Sequence, residues 1–138
     1  MIKFIAIVAG EPNSINSEII VKAWKKSKYK RNIFVIGNYS LFKKQIDKIG
    51  LKVQLLKVKS IDEINDNKKI NILDVQLNSK SLFKNKTINT KDYVLKSLMV
   101  AHKLACAKKI KGFVNAPVNK LIFNNKYLGV TEYLAAKN

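Results

Sequence analysis

Three stretches of this 138-residue chain combine residue types and spacings that could do chemistry. The first is Asn115-Ala116-Pro117-Val118-Asn119-Lys120, which follows the short apolar run Gly112-Phe113-Val114. Proline lacks an N–H and is tolerated in a helix only at its first turn. Pro117 is therefore predicted to open a helix that carries Val118, Leu121 and Ile122 inward, with Lys120 in its first turn. A strand-to-helix corner of this kind presents free backbone N–H groups, which suit an anion. The second stretch is Gly129-Val130-Thr131-Glu132, where Thr131 is predicted to be an N-cap and Glu132 favours the first turn by its charge. The third is the turn Gly10-Glu11-Pro12, which follows an apolar run. Two helix starts close in sequence, one with a lysine, suggest a site for a phosphorylated or carboxylated molecule.

The Gly10 turn is not a dinucleotide fingerprint. Such a loop needs several glycines so that backbone can approach the phosphates. Here Gly10 is alone, so the stretch reads either as a tight strand-to-helix turn or as a ligand-contacting loop. The sole histidine, His102, stands four residues before the sole cysteine, Cys106. That spacing puts both on one helix face, but two ligands are too few for a metal, and no metal site is expected there. Their apolar neighbours suggest a partly buried histidine instead.

These motifs resemble those of the 4-hydroxythreonine-4-phosphate dehydrogenase family of pyridoxine biosynthesis. Asn115-Ala116-Pro117-Val118-Asn119-Lys120 is similar to the family's T-x-P-[VI]-x-K, and Gly129-Val130-Thr131-Glu132 to its G-H-T-E. Val8-Ala9-Gly10-Glu11-Pro12, running on to Glu18, is similar to the family's N-terminal T-x-G-[DE]-P-x-G-I-G-P-E. The resemblance covers the chain but only the first part of the family's length. It implies NAD-dependent, metal-dependent oxidation and then decarboxylation of 4-phosphohydroxy-L-threonine, in a homodimer. It carries Thr131, Lys120 and Glu11 over as substrate contacts. Val130 stands where the family has a substrate-contacting histidine, and valine cannot hydrogen-bond. The family's metal-binding histidines come after G-H-T-E, and its fold resembles isocitrate and isopropylmalate dehydrogenases. The resemblance thus implies an N-terminal portion, truncated or a fragment, that is catalytically inactive alone because neither the NAD nor the metal site is complete.

Positioning these motifs requires alternating strands and helices. Lys3 to Ala9 is a continuous β-prone run, the mark of a buried parallel strand. Ser17 to about Lys28 is predicted helical, with Ile19, Ile20, Ala23 and Trp24 at helical spacing. Asn32 to Ile36 is a second strand, Ser40 to Ile49 a helix with Leu41, Phe42, Ile46 and Ile49 inward, and Gly50 its stop. Lys52 to Val58 and Ile70 to Val75 are strands, separated by a polar loop over Ser60 to Asn67 with at most one helical turn. Gln76 to Asn89 has no clear period and is expected as an excursion. Thr90 is expected to cap a helix to about Lys109, with Val94, Leu95, Leu98, His102, Ala105 and Cys106 inward. The alternation predicts a single α/β region over residues 1–138 with a largely parallel sheet, incomplete at its C-terminus by the family resemblance. Ligands of such sheets gather at the carboxyl ends of strands, where both the Gly10 turn and the Asn115 corner fall.

Composition bounds the rest. Apolar residues make up 47% of the chain, enough for a core, and no apolar run approaches the roughly 20 residues of a membrane span. No signal peptide is evident, and a single cysteine rules out an internal disulfide; a cytoplasmic location is expected. The charge is +18, from 27 basic and 9 acidic residues. The competing function is therefore a non-catalytic anion- or nucleic-acid-binding basic module. Against it, only Arg31 is arginine, and clusters occur only at Lys22 to Arg31 and Lys108 to Lys111. Sequence-reading interfaces lean on arginine forks and stacking aromatics, so nucleic acid is not the expected partner.

Overall fold

The computed structural model describes residues 3–64, 68–77 and 90–138. A five-stranded sheet, parallel at every pairing, forms the middle layer. The strands are β1 (Ile5–Val8), β2 (Ile33–Gly37), β3 (Leu55–Val58), β4 (Ile70–Asp74) and β5 (Gly112–Asn115), arranged in the order β3-β4-β2-β1-β5. The helices are α1 (Asn16–Lys26), α2 (Tyr39–Ile49), α3 (Lys91–Cys106) and α4 (Val130–Ala135). The α/β class and parallel sheet predicted from the alternation are what the chain adopts. Residues 65–67 of the predicted polar loop and 78–89 of the predicted excursion lie outside the described residues; Ile61–Glu63 forms the single helical turn expected.

Direction along the sheet decides which face each connection covers. Parallel crossovers are right-handed, so a connection that moves the opposite way lands on the opposite face. From β1 to β2 and from β2 to β3 the chain moves one way, and α1 and α2 pack together over Val35, Ile70 and Ile72. From β4 to β5 it moves back, and α3 covers the other face, over Ala6, Val8, Phe34 and Ile36. The strict alternation Phe34, Val35, Ile36, all fully buried, serves the two faces in turn. That is why β2 reads as an unbroken apolar run.

The helix faces differ in part from expectation. In α1 the buried residues are Ile20, Val21 and Trp24, while Ile19 is half exposed. In α2 Phe42 and Ile46 are buried and Ile49 is exposed, and Gly50 closes the helix in the left-handed conformation as expected. Asn38 caps α2, which starts at Tyr39: its Oδ1 accepts from the Leu41 N–H at 2.9 Å. In α3, Val94 and Leu98 face inward as predicted, joined by Tyr93, Ser97 and Ala101. His102 is only half-buried and Cys106 is exposed, because the packed face runs through Val94, Leu98, Ala101 and Ala105 and leaves both at its edge. The helix stops at Cys106 rather than Lys109, with Lys108 in the left-handed region at φ 55°. Thr90 precedes it without a side-chain cap bond.

Asn38 also ties three elements together. Its Nδ2 donates to the Val75 carbonyl at 2.9 Å, and its own N–H donates to the Tyr93 hydroxyl at 2.8 Å. Replacing Asn38 with Ala removes a helix cap and orphans a buried carbonyl, which should cost about 2–3 kcal/mol. Urea unfolding should show a lower midpoint with unchanged slope.

Candidate functional site at the carboxyl ends of the central strands

The chain leaves β1 towards α1 on one face. It leaves β5 towards a cluster containing Ile122, Phe123 and Tyr133 on the other. Adjacent parallel strands whose exits diverge in this way open a crevice at their carboxyl ends, the usual place for a ligand in such sheets. The register Val8↔Asn115 sets the Gly10 turn directly beside the Asn115 corner. Two segments about a hundred residues apart in sequence thus meet, as their strand-end positions required.

They meet by direct bonding. The Glu11 N–H donates to the Pro117 carbonyl at 3.1 Å, and the Ala116 N–H donates to the Val8 carbonyl at 2.9 Å. Asn16, buried at the start of α1, spans the gap: its Nδ2 donates to the Ala9 carbonyl at 3.1 Å and the Pro117 carbonyl at 2.8 Å. Gly10 adopts φ +74°, and a Cβ there would lie 2.7 Å from both the Ala116 and Pro117 carbonyl oxygens. The glycine therefore serves close approach of one protein backbone to another. A dinucleotide turn uses its glycines to admit phosphate, and that space is filled here by carbonyls, which would repel one. The turn does not fit a dinucleotide.

Of the three predicted substrate contacts, Glu11 is half-buried in this crevice, its Oε2 accepting from the Thr90 hydroxyl at 3.5 Å. Lys120 is exposed at the start of a single 3₁₀ turn, Lys120–Phe123. The α-helix predicted to open at Pro117 does not form. The chain runs irregularly through 116–119, and the turn is capped by the Asn119 side chain, which accepts from the Leu121 N–H at 3.0 Å. Ile122 and Phe123 point inward while Leu121 is 75% exposed, because a three-residue period turns a different side to the core than a 3.6-residue one. Thr131 is exposed within α4 and is not its cap; Gly129 occupies that position in extended backbone without a side-chain bond. The Lys120 turn and α4 are carried as one packed unit, since the Phe123 and Tyr133 rings stand 5.4 Å apart with Tyr127 against both.

Asn16, Asn38 and Tyr93 escaped the sequence analysis as organisers of the crevice. For Asn38 the available signal was its place directly after an apolar strand; Asn16, eight residues beyond Val8 at the start of α1, gave none. Tyr93 accepts the Asn38 N–H, lies beside Gly37, and is buried; burial pushes its phenol up to about 12. Among the described residues no group of three His, Cys, Asp or Glu side chains is close enough to hold a metal ion. His102 and Cys106 do approach, Sγ to Nε2 at 3.6 Å, with Asn138 Oδ1 2.7 Å from the same ring nitrogen.

The family described as pyridoxal phosphate biosynthetic protein PdxA matches residues 29–138. A curated relative, the 4-hydroxythreonine-4-phosphate dehydrogenase of Beijerinckia indica, is 28% identical over 140 residues; the match covers 95% of this chain and 40% of the relative. A structure from Salmonella typhimurium assigned as a 4-hydroxythreonine-4-phosphate dehydrogenase has a TM-score of 0.84 at 28% identity, over 97% of this chain and 44% of that one. The 4-hydroxythreonine-4-phosphate dehydrogenase of Klebsiella pneumoniae shares the fold, with a TM-score of 0.83 at 24% identity over 99% of this chain and 44% of its own. The chain spans less than half the length of these relatives.

Gly10→Ala should cost about 3 kcal/mol, from left-handed strain together with the carbonyl clash. Gly50→Ala, at φ +71° with nothing within 4 Å of the added methyl, should cost only about 1 kcal/mol. Equal losses in urea unfolding would show that the crevice contact contributes nothing. Tyr93 should be the last phenol to ionise in a spectrophotometric titration, near 12. Its folded value lies above the unfolded one, so its contribution is intact below pH 10 and lost as pH rises from 10 towards 12. In Tyr93→Phe that alkaline loss should shrink.

Proposed function

The chain belongs to the PdxA family of pyridoxal phosphate biosynthetic proteins, and from that we propose that it is the N-terminal part of a 4-hydroxythreonine-4-phosphate dehydrogenase. The reaction is the NAD-dependent, metal-dependent oxidation and then decarboxylation of 4-phosphohydroxy-L-threonine, in a cytoplasmic homodimer. The observation that carries the proposal is the Glu11-to-Pro117 bond, which sets two family-like motifs side by side at the carboxyl ends of β1 and β5.

In this proposal the chain supplies one wall of the substrate site. The exposed Lys120 ammonium attracts the phosphate, and the Thr131 hydroxyl hydrogen-bonds the bound molecule. Glu11, held by Thr90, offers a carboxylate to a substrate donor. Val130 removes the histidine contact of the family pattern and leaves the wall less polar at that point. No step is assigned to NAD or to a metal on this chain, since the Gly10 turn is closed to a dinucleotide and no ligand cluster is present among the described residues. Turnover then depends on the part of the family length that this chain does not span.

The purified 138-residue chain, supplied with NAD, a divalent metal ion and 4-phosphohydroxy-L-threonine, should produce no NADH; steady production would overturn the assignment of inactivity. Calorimetry should still detect the substrate, with Lys120→Ala and Thr131→Ala each weakening it about tenfold. Unchanged affinity in both variants, or no binding at all, would remove the proposed wall.

A further inference from the structure

The basic residues that look dispersed in sequence are gathered by the parallel sheet. Every parallel strand begins at the same pole of the sheet, and each of the five is led in by an exposed basic residue: Lys3, Arg31, Lys52, Lys68 and Lys111. The lead-ins are tied to one another. Asn32 Nδ2 donates to the Lys3 carbonyl at 3.1 Å, the Lys111 N–H donates to the Phe4 carbonyl at 2.8 Å, and the Ile70 N–H donates to the Gln54 carbonyl at 2.9 Å. Arg31 lies in the 3₁₀ turn Lys30–Asn32 that leads into β2, next to the Asn32 that holds the Lys3 carbonyl. At about 4.8 Å between strands, five strands make a basic row about 20 Å long. Among the described residues the acidic groups sit mostly at the other end: Asp74 ends β4, Glu11 and Glu63 follow strands, and Glu18 and Asp92 lie in the first turns of helices. The molecule is therefore polarised along its strands, with its basic pole opposite the Gly10 crevice.

Two further features mark that pole. Tyr29, between Lys28 and Lys30, exposes 70% of its surface. At the same pole an open groove of about 570 Å³ is lined by Trp24, Lys25, Lys52 and Lys68, with one carboxylate, Asp47, among its lining residues. Lys30 Nζ lies 5.0 Å over the Trp24 ring.

We propose that this pole binds single-stranded nucleic acid, without sequence preference, along the row Lys52–Lys68–Arg31–Lys3–Lys111, with Tyr29 as a stacking platform. Lysines neutralise phosphates, and an exposed ring accepts any base on its face. One arginine gives no set of guanidinium forks for reading base edges, so the binding is not sequence-specific. An anionic membrane is the less suited partner. The most exposed aliphatic side chains, Leu121, Leu128 and Ile15, lie at the opposite end from the lysine row, and among the described residues the pole itself shows only Ile5 and Ile49, each less than half exposed.

The test uses the full chain and a fluorescein-labelled oligothymidylate, followed by anisotropy. Five neutralised phosphates predict a log–log salt slope of about −3.5, or about a hundredfold loss of affinity between about 50 and about 200 mM salt. Lys3→Glu/Arg31→Glu/Lys111→Glu should weaken binding at least tenfold and reduce the slope by about 2. Lys59→Glu/Lys91→Glu/Lys96→Glu, with the same change of net charge but away from the pole, should change it far less. Tyr29→Ala should lower affinity about tenfold while leaving the slope unchanged. Because Trp24 is the single tryptophan, its emission should shift on binding. Equal losses in the two triple variants would reduce the effect to net charge and overturn the proposal. So would the absence of binding at low salt, or capture by phosphatidylserine vesicles without oligonucleotide binding.

Discussion

The absence of one side chain at Gly10 is the constraint on which the crevice depends. Backbone carbonyls of Ala116 and Pro117 occupy the volume where a Cβ would sit. Only that approach lets Glu11 and Asn16 hydrogen-bond across to the Pro117 carbonyl. These bonds are short-range, but they join the exits of β1 and β5, which the chain reaches more than a hundred residues apart. Without them the two exits, diverging to opposite faces of the sheet, would have only the β1–β5 ladder to keep them adjacent. The polar groups involved are all met: the Pro117 carbonyl accepts from two donors, and the Asn16 amide gives to two carbonyls.

The same topology that builds the crevice also divides the surface. Right-handed crossovers fix which helices cover which face, and parallel pairing fixes which loops share a pole. The strand ends, loops and helix starts at the carboxyl pole carry the family-like motifs and, among the described residues, most of the acidic groups. Loops that precede strands carry one basic residue after another. A chain with net charge +18 avoids uniform self-repulsion only partly by this arrangement. It concentrates positive potential at one end and leaves the other closer to balance.

Apolar strand runs were legible, and the short helical pieces after Pro117 were not. The runs at Ile5–Val8, Ile33–Gly37 and Ile70–Asp74 are apolar because both sheet faces are covered, and they stand where composition predicted strands. The segment after Pro117 looked helical because its apolar residues fit a helical spacing. It became one 3₁₀ turn because Asn119 caps it and two left-handed asparagines, Asn124 and Asn125, end it. Thr131 looked like a cap by residue type, yet the helix starts one residue earlier, behind Gly129. His102 and Cys106 fit the inner stripe of α3 by spacing, but that stripe runs through Val94, Leu98, Ala101 and Ala105, and the pair sits at its edge. In each case a local preference lost to the reach of the packed core.

By itself the sequence determined the α/β class, the parallel sheet and the presence of two motif-bearing turns at strand ends, because these follow from periodicity and from residue types that tolerate few alternatives; the family was legible through the resemblance of its motifs. Only the tertiary structure decided that Gly10 admits protein backbone rather than a cofactor phosphate, and that Asn16 and Asn38 are the residues which lock neighbouring exits. It also decided that scattered lysines share one pole. Hydrophobic patterning records which residues are buried, but the partner of a buried amide and the company of an exposed charge are set by strand order and register, which no local stretch of sequence encodes.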